Sequence, residues 1–114
     1  QQIIDTTRAI VRGFKTGAPR AKLFWIATTP QTARRAEPSK PVTALGDKNS
    51  VVLRINRLAE QVMKEEGVEV IDMYTPLAAR LDLAAGDEYH WSAPAYKMIA
   101  DAIVAKTNEA LKGK

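Results

Sequence analysis

The sequence predicts an α/β fold built on parallel strands. Helical and strand-like segments alternate in the order helix, strand, helix, strand, helix, helix. The first strand-like run, Lys22-Leu23-Phe24-Trp25-Ile26-Ala27-Thr28, is continuously apolar rather than alternating, as a strand covered on both faces reads. Turn and cap residues mark the boundaries between segments. Alternation of this kind implies right-handed crossovers between parallel neighbours.

The elements follow in order. Ile3, Thr7, Ile10 and Phe14 recur at helical spacing with Val11 beside them, while Arg8, Arg12 and Lys15 take the other side. Gly17 and Pro19 stop this first helix. The apolar strand runs to Thr28-Thr29-Pro30. Residues 31 to 47 read as a long loop with Pro38, Pro41 and Gly46, and loops of this length are functional or mobile. Asp47 or Asn49 caps a second helix whose buried stripe is Val52, Ile55, Ala59 and Val62. Glu60 and Lys64 are spaced as an i,i+4 pair, and Gly67 ends the helix. Val68 to Met73 form the second strand. Thr75 with Pro76 starts a short helix through Leu77 and Leu81. Ala84-Ala85-Gly86 turns into an Asp87–His90 loop. Ser92 caps the last helix, with Tyr96, Ile99, Ala100, Ile103 and Leu111 on its inner face.

Two strands make a poor sheet. Leu23, Phe24 and Ile26 are each worth about 1.5–3 kcal/mol when fully buried. A two-stranded sheet leaves much of that apolar area on open edges, which invites pairing with another chain. The pattern therefore calls for further strands, supplied by another polypeptide or by a partner copy.

Composition narrows the classes. A chain of 114 residues makes one domain or part of one. At 46% hydrophobic and 26% charged it reads as globular rather than disordered. The absence of cysteine excludes disulfides, zinc–thiolate sites and a cysteine nucleophile, and a single histidine excludes a histidine-rich metal site. No apolar run approaches a membrane span of about 20 residues. The start, Gln1-Gln2-Ile3-Ile4-Asp5, is no signal peptide and lacks an initiator methionine, so the chain is expected to begin inside a longer product. A soluble domain is expected, with secretion and a periplasmic location both left open. The net charge of +4 is spread over a solvated face, too sparse for a nucleic-acid footprint.

The stretch Asp87-Glu88-Tyr89-His90-Trp91-Ser92 concentrates the chemistry. A neutral imidazole can take a proton from a hydroxyl and return it. An aspartate on its second ring nitrogen fixes the tautomer and stabilises the imidazolium. Asp87, three residues before His90, is placed to be that aspartate in a tight loop. In open α/β sheets such sites lie beyond the carboxyl ends of strands. Asp72, at the end of the second strand, reads as a satisfied structural carboxylate. Trp91 either lines a substrate pocket or packs under the final helix, Thr29 and the 31–47 loop shape the cleft, Trp25 is core, and Asn56 is structural.

Asp-x-x-His, an aromatic, a hydroxyl and an amphipathic helix containing Tyr96 resemble the last sequence block of the SGNH (GDSL-type) hydrolases. Ala21–Pro30 resembles that family's penultimate core strand. Asn56 to Tyr74, in the form N-x-x-A-x-x-V-M-x-x-x-G-V-x-V-x-D-x-Y, resembles the helix and strand that follow. The resemblance implies a three-layer α/β/α sandwich around a five-stranded parallel sheet, to which residues 1–114 add the last two strands and flanking helices. It implies hydrolysis of lipid, carbohydrate or small acyl esters through an acyl-serine intermediate. His90 becomes the general base and acid, Asp87 its orienting acid, and no metal or organic cofactor is needed. Where the family commonly has glycine this chain has Glu88, which alters loop geometry or adds a charge near the substrate.

The family's nucleophile lies in a Gly-Asp-Ser block, and none occurs here. Its oxyanion residues would fall before Gln1. Ser39, Ser50 and Ser92 are the only serines, in the loop, at a helix start and at a helix cap. The chain reads as a catalytic half whose serine comes from an N-terminal segment in another chain or lost. The alternative is a binding or interaction module that kept the scaffold.

Overall fold

The computed structural model describes residues 1–113. The first helix, α1 (Gln2–Gly17), carries the expected apolar face but covers only part of it. Thr7 and Val11 are buried, whereas Ile10 is exposed and Phe14 is 61% exposed. The cause is how α1 meets α2 (Asn49–Glu66). Val11 packs on Val62 and Met63, while Arg8 to Glu65 at 2.5 Å and Arg12 to Glu66 at 3.0 Å lace the polar side. The Ile10–Phe14 edge opens onto a hollow that it shares with Leu23, Phe24 and Trp25.

The cap expected from Asp47 or Asn49 is not made. Lys48 holds the cap position of α2 without a side-chain bond. The Asn49 amide is engaged elsewhere, accepting the Gln31 N–H at 3.1 Å and donating to the Tyr74 hydroxyl at 2.6 Å. Glu60 and Lys64 do not form the expected ion pair among the described residues. Gly67 closes the helix as expected, at φ +70°, a left-handed conformation that favours glycine.

Strands β1 (Phe24–Ile26) and β2 (Glu69–Ile71) pair in parallel, Phe24 opposite Glu69, Trp25 opposite Val70 and Ile26 opposite Ile71. Both are shorter than the sequence suggests. Asn56 takes over the Thr28 backbone beyond β1, and Asp72 turns the chain after β2. Trp25, only half-buried, and Val70 face the cluster of Val11, Val62, Met63 and Val68 under α1 and α2. The pleat therefore sends Phe24, Ile26, Glu69 and Ile71 to the other face. The last helix, α4 (Ala93–Lys112), lies on that side, where Lys106 Nζ meets Glu69 Oε2 at 2.7 Å. It covers β2 but leaves Ile26 43% exposed.

A second apolar cluster joins α4 to the chain before it. The short α3 (Tyr74–Ala78) and a single 3-10 turn (Leu81–Leu83) replace the one continuous helix expected there. Leu77, Ala84, Trp91, Ala95 and Val42 form the buried centre, with Leu81, Leu83, Met98 and Ile99 against it. The inner face of α4 is thus Ala95, Met98 and Ile99, with Ile103 half-buried, while Tyr96, Ala100 and Leu111 are exposed. The helix is rotated from the expected face because Ala95 is small enough to sit against Trp91.

Residues 31–47 are not a free loop. Thr32 pairs with Leu45 in an antiparallel bridge, Ala33 N–H donates to Ala44 C=O at 3.0 Å, and Gly46 N–H donates to Gln31 C=O at 2.9 Å. Val42 at its far side is buried in the second cluster. The whole molecule is more open than its size requires. Its surface is 7523 Å², against about 6200 Å² for a compact monomer of this mass. No helix among the described residues is long and apolar enough to cross a membrane.

Candidate active site

The Asp87–His90 loop stands on a buried base. Ala84 and Trp91 face each other in an antiparallel bridge, Ala85 N–H donates to His90 C=O at 2.9 Å, and Ser92 N–H donates to Leu83 C=O at 2.8 Å. Both bridge residues belong to the second apolar cluster. Ser92 occupies the cap position of α4, yet its hydroxyl donates to Leu83 C=O at 2.7 Å instead of capping the helix. That corrects the role read for it, since the hydroxyl fastens the loop's base.

Above this base both carboxylate oxygens of Asp87 are occupied. Oδ1 accepts the backbone N–H of His90 at 2.8 Å and of Tyr89 at 3.1 Å. Oδ2 meets His90 Nδ1 at 2.5 Å. The backbone N–H donors of His90 and Tyr89, then the imidazole, hold the Asp87 carboxyl well below the usual carboxylate range. With Nδ1 donating to a carboxylate, the neutral ring presents Nε2 as its acceptor. Nε2 has no partner among the described residues, and the His90 side chain is 71% exposed. The arrangement can receive a proton at Nε2 and stabilise the resulting charge from behind.

Glu88 lies between them at φ +83°, a conformation L residues adopt at a cost. Its carboxylate faces Arg34 at 3.5 Å, and its C=O accepts the Thr32 N–H at 3.0 Å. The sequence places the 31–47 loop at the cleft, but nothing in it pairs Thr32 and Arg34 with Glu88. No local periodicity signals such a contact, because it is a pairing between segments more than fifty residues apart.

The other residues singled out in the sequence fall in different places. Thr29 lines an open cleft of about 320 Å³ with Pro30, Lys48, Val51, Val52 and Tyr89. Trp91 is 5% exposed and packs under α4, the second of its two readings, with Nε1 buried and without a partner among the described residues. Asp72 is a satisfied turn carboxylate. Burial pushes its pKa up, but the Thr75 hydroxyl and the Thr75 and Tyr74 N–H groups outweigh that and hold it low. A larger hollow of about 520 Å³, lined by Trp25, Leu53, Asn56, Arg57 and Asp72, does not include His90. Among the described residues no serine hydrogen-bonds His90, and no cluster of His, Asp and Glu suits a metal ion.

No family model and no curated protein matches this sequence. Solved structures do share its fold. One is a Bacteroides fragilis protein to which an acylhydrolase activity is ascribed, 16% identical, matched over 95% of this chain and 53% of its own with a TM-score of 0.63. A second is 24% identical over 90% of this chain and 50% of its own, with a TM-score of 0.62. The chain thus spans about half the length of the structures it resembles. At these identities the likeness is one of fold, a mixed α/β arrangement with a parallel strand pair.

Proposed function

We propose that this chain is the C-terminal half of an SGNH-type serine hydrolase domain that cleaves carboxylic esters. Residues 1–114 would add the last two strands and their helices to a three-layer α/β/α sandwich. The observation that carries the reading is the 2.5 Å contact of His90 Nδ1 with Asp87 Oδ2, with Nε2 turned free. The open β1 edge, the exposed Phe14 and Ile26 and the excess surface support a missing partner segment. So does the half-length match to two solved structures, one of them the Bacteroides fragilis protein to which an acylhydrolase activity is ascribed. The partner is the N-terminal segment of the same enzyme, on another chain or preceding this one, or a second copy.

In this reading a serine from that segment lies against His90 Nε2. Its Oγ attacks the ester carbonyl carbon while the imidazole takes the hydroxyl proton. The imidazolium, stabilised by ionised Asp87, gives that proton to the departing alkoxide, which leaves as the alcohol. Water then attacks the acyl-serine with His90 again as base, releasing the carboxylic acid and restoring the serine. The ester would lie along the Thr29–Tyr89 cleft. Trp91 supports the loop from below rather than touching substrate.

The test is chemical. Mass spectrometry of purified material finds the second polypeptide or longer product that carries the serine. A fluorophosphonate probe then labels that serine, and His90→Ala abolishes labelling. Undiminished labelling in the variant rules out His90 as the base. No labelling of the complete wild-type assembly instead favours a binding module that kept the scaffold.

A further inference from the structure

We infer that Arg35 is a positioning residue that sets the geometry of the Asp87–His90 pair through the backbone of the turn leading into it. Arg35 belongs to the segment between the two strands, fifty-odd residues from that pair in sequence, yet three contacts converge on the turn. Its N–H donates to Gly86 C=O at 3.0 Å. Its guanidinium donates to Ala84 C=O at 3.1 Å. Its stem and Nε lie directly over Gly86, where a Cβ would meet Arg35 Cβ at 3.0 Å and Nε at 3.1 Å. Gly86 has φ +106°, so the position needs glycine for its backbone as well as for this approach.

The contacts span the two residues on either side of the Ala85 peptide, whose N–H in turn holds His90 C=O at 2.9 Å. Thr32 N–H on Glu88 C=O holds the chain two residues beyond Gly86. The segment Thr32–Arg35 thus grips Ala84, Gly86 and Glu88, three points along the turn that leads to His90. Arg35 Nε is closed off from solvent and has no hydrogen-bond partner among the described residues. An arginine kept partly out of water with one donor unpaired is a poor stabiliser. Its planar fork instead defines an orientation, which a lysine ammonium on a flexible stem does not. Asp87 can receive both backbone N–H groups and the imidazole only if the turn below it is held at one angle.

The catalytic consequence rests on the proposed hydrolase reading, whereas the geometric part does not. His90 is the only histidine, so its ring proton is assigned without ambiguity. In this chain the downfield Nδ1–H resonance and the exchange of the Tyr89 and His90 amides report the pair directly. Arg35→Met is expected to broaden that resonance and to speed exchange of both amides about tenfold or more. The amides of Val62 and Met63 in α2 keep their protection. Arg35→Lys is expected to fall between the two.

A wild-type resonance and wild-type exchange in Arg35→Met would overturn the inference. If Arg35→Met unfolds, shown by lost protection at Val62, then Arg35→Lys decides, and wild-type behaviour there overturns it equally. In the complete enzyme, Arg35→Met should slow fluorophosphonate labelling about tenfold to a hundredfold without abolishing it, with Arg35→Lys restoring part of the rate. If the wild-type enzyme is not labelled, the hydrolase reading fails while the resonance and exchange data still judge Arg35.

Discussion

Asn56 holds the backbone of Thr28 at both of its polar atoms. Thr28 N–H donates to Asn56 Oδ1 at 2.8 Å, and Asn56 Nδ2 donates to Thr28 C=O at 2.8 Å. A primary amide here does what a neighbouring strand would do for the end of β1. It fixes where the chain leaves the sheet, and so where Thr29 and the cleft beside Tyr89 begin.

Asn56→Ala should therefore lower stability by about 1–3 kcal/mol, the loss of two hydrogen bonds worth about 0.5–1.5 kcal/mol each. Urea denaturation of the purified chain measures it. A loss below about 0.5 kcal/mol, the range of ordinary surface changes, would show that water replaces the amide without penalty.

Glu88 is the one non-glycine residue with positive φ among those described. Glu88→Gly should raise stability by about 0.5–1 kcal/mol, because the left-handed conformation no longer crowds a Cβ. The lost contact to Arg34 is an exposed pair at 3.5 Å and contributes little. Glu88→Val should lower stability by about 1–3 kcal/mol, since a branched side chain suits that conformation least. The two melting curves should move in opposite directions.

The Asp87 carboxyl is depressed in the folded chain by the His90 and Tyr89 amide donors and the imidazole. A depressed folded value contributes stability that is present above the unfolded value, about pH 3.9, and is lost as pH falls towards the folded one. Stability followed from pH 5 downward should drop more steeply for the wild type than for Asp87→Asn. Parallel curves would mean that the backbone donors do not prefer the ionised form.

Met63 and Leu77 are fully buried at the centres of the two clusters. Met63→Ala and Leu77→Ala should each cost about 2–5 kcal/mol. Phe14→Ala should change the stability of this chain by less than about 0.5 kcal/mol, since that side chain faces solvent. In the assembly we propose, the same substitution should weaken association of the partner segment, read by co-purification or by titration. Equal effects of Phe14→Ala on the chain alone and on the assembly would remove α1 from the docking surface.

Much of the fold was legible in the residues themselves. The helices at 3.6-residue spacing, the parallel pairing implied by alternation, and the stop at Gly67 follow from local sterics and from which residues leave water. So does the closeness of Asp87 and His90, because three residues of tight turn leave few ways to keep a carboxylate from its own backbone donors. The buried faces of α1 and α4 depart from the periodic ones at Phe14, Tyr96 and Leu111, because periodicity says which residues are apolar and not what comes to cover them. The side chains of Asn49 and Ser92 cap neither helix, although Ser92 keeps the cap position, because Gln31, Tyr74 and Leu83 offer partners that no local rule contains. The bracing of the Asp87–His90 loop by Thr32 and Arg35 was decided only by tertiary structure. Hydrogen bonds between segments remote in sequence depend on where the sheet and the two apolar clusters place those segments, and that placement is a property of the packed molecule.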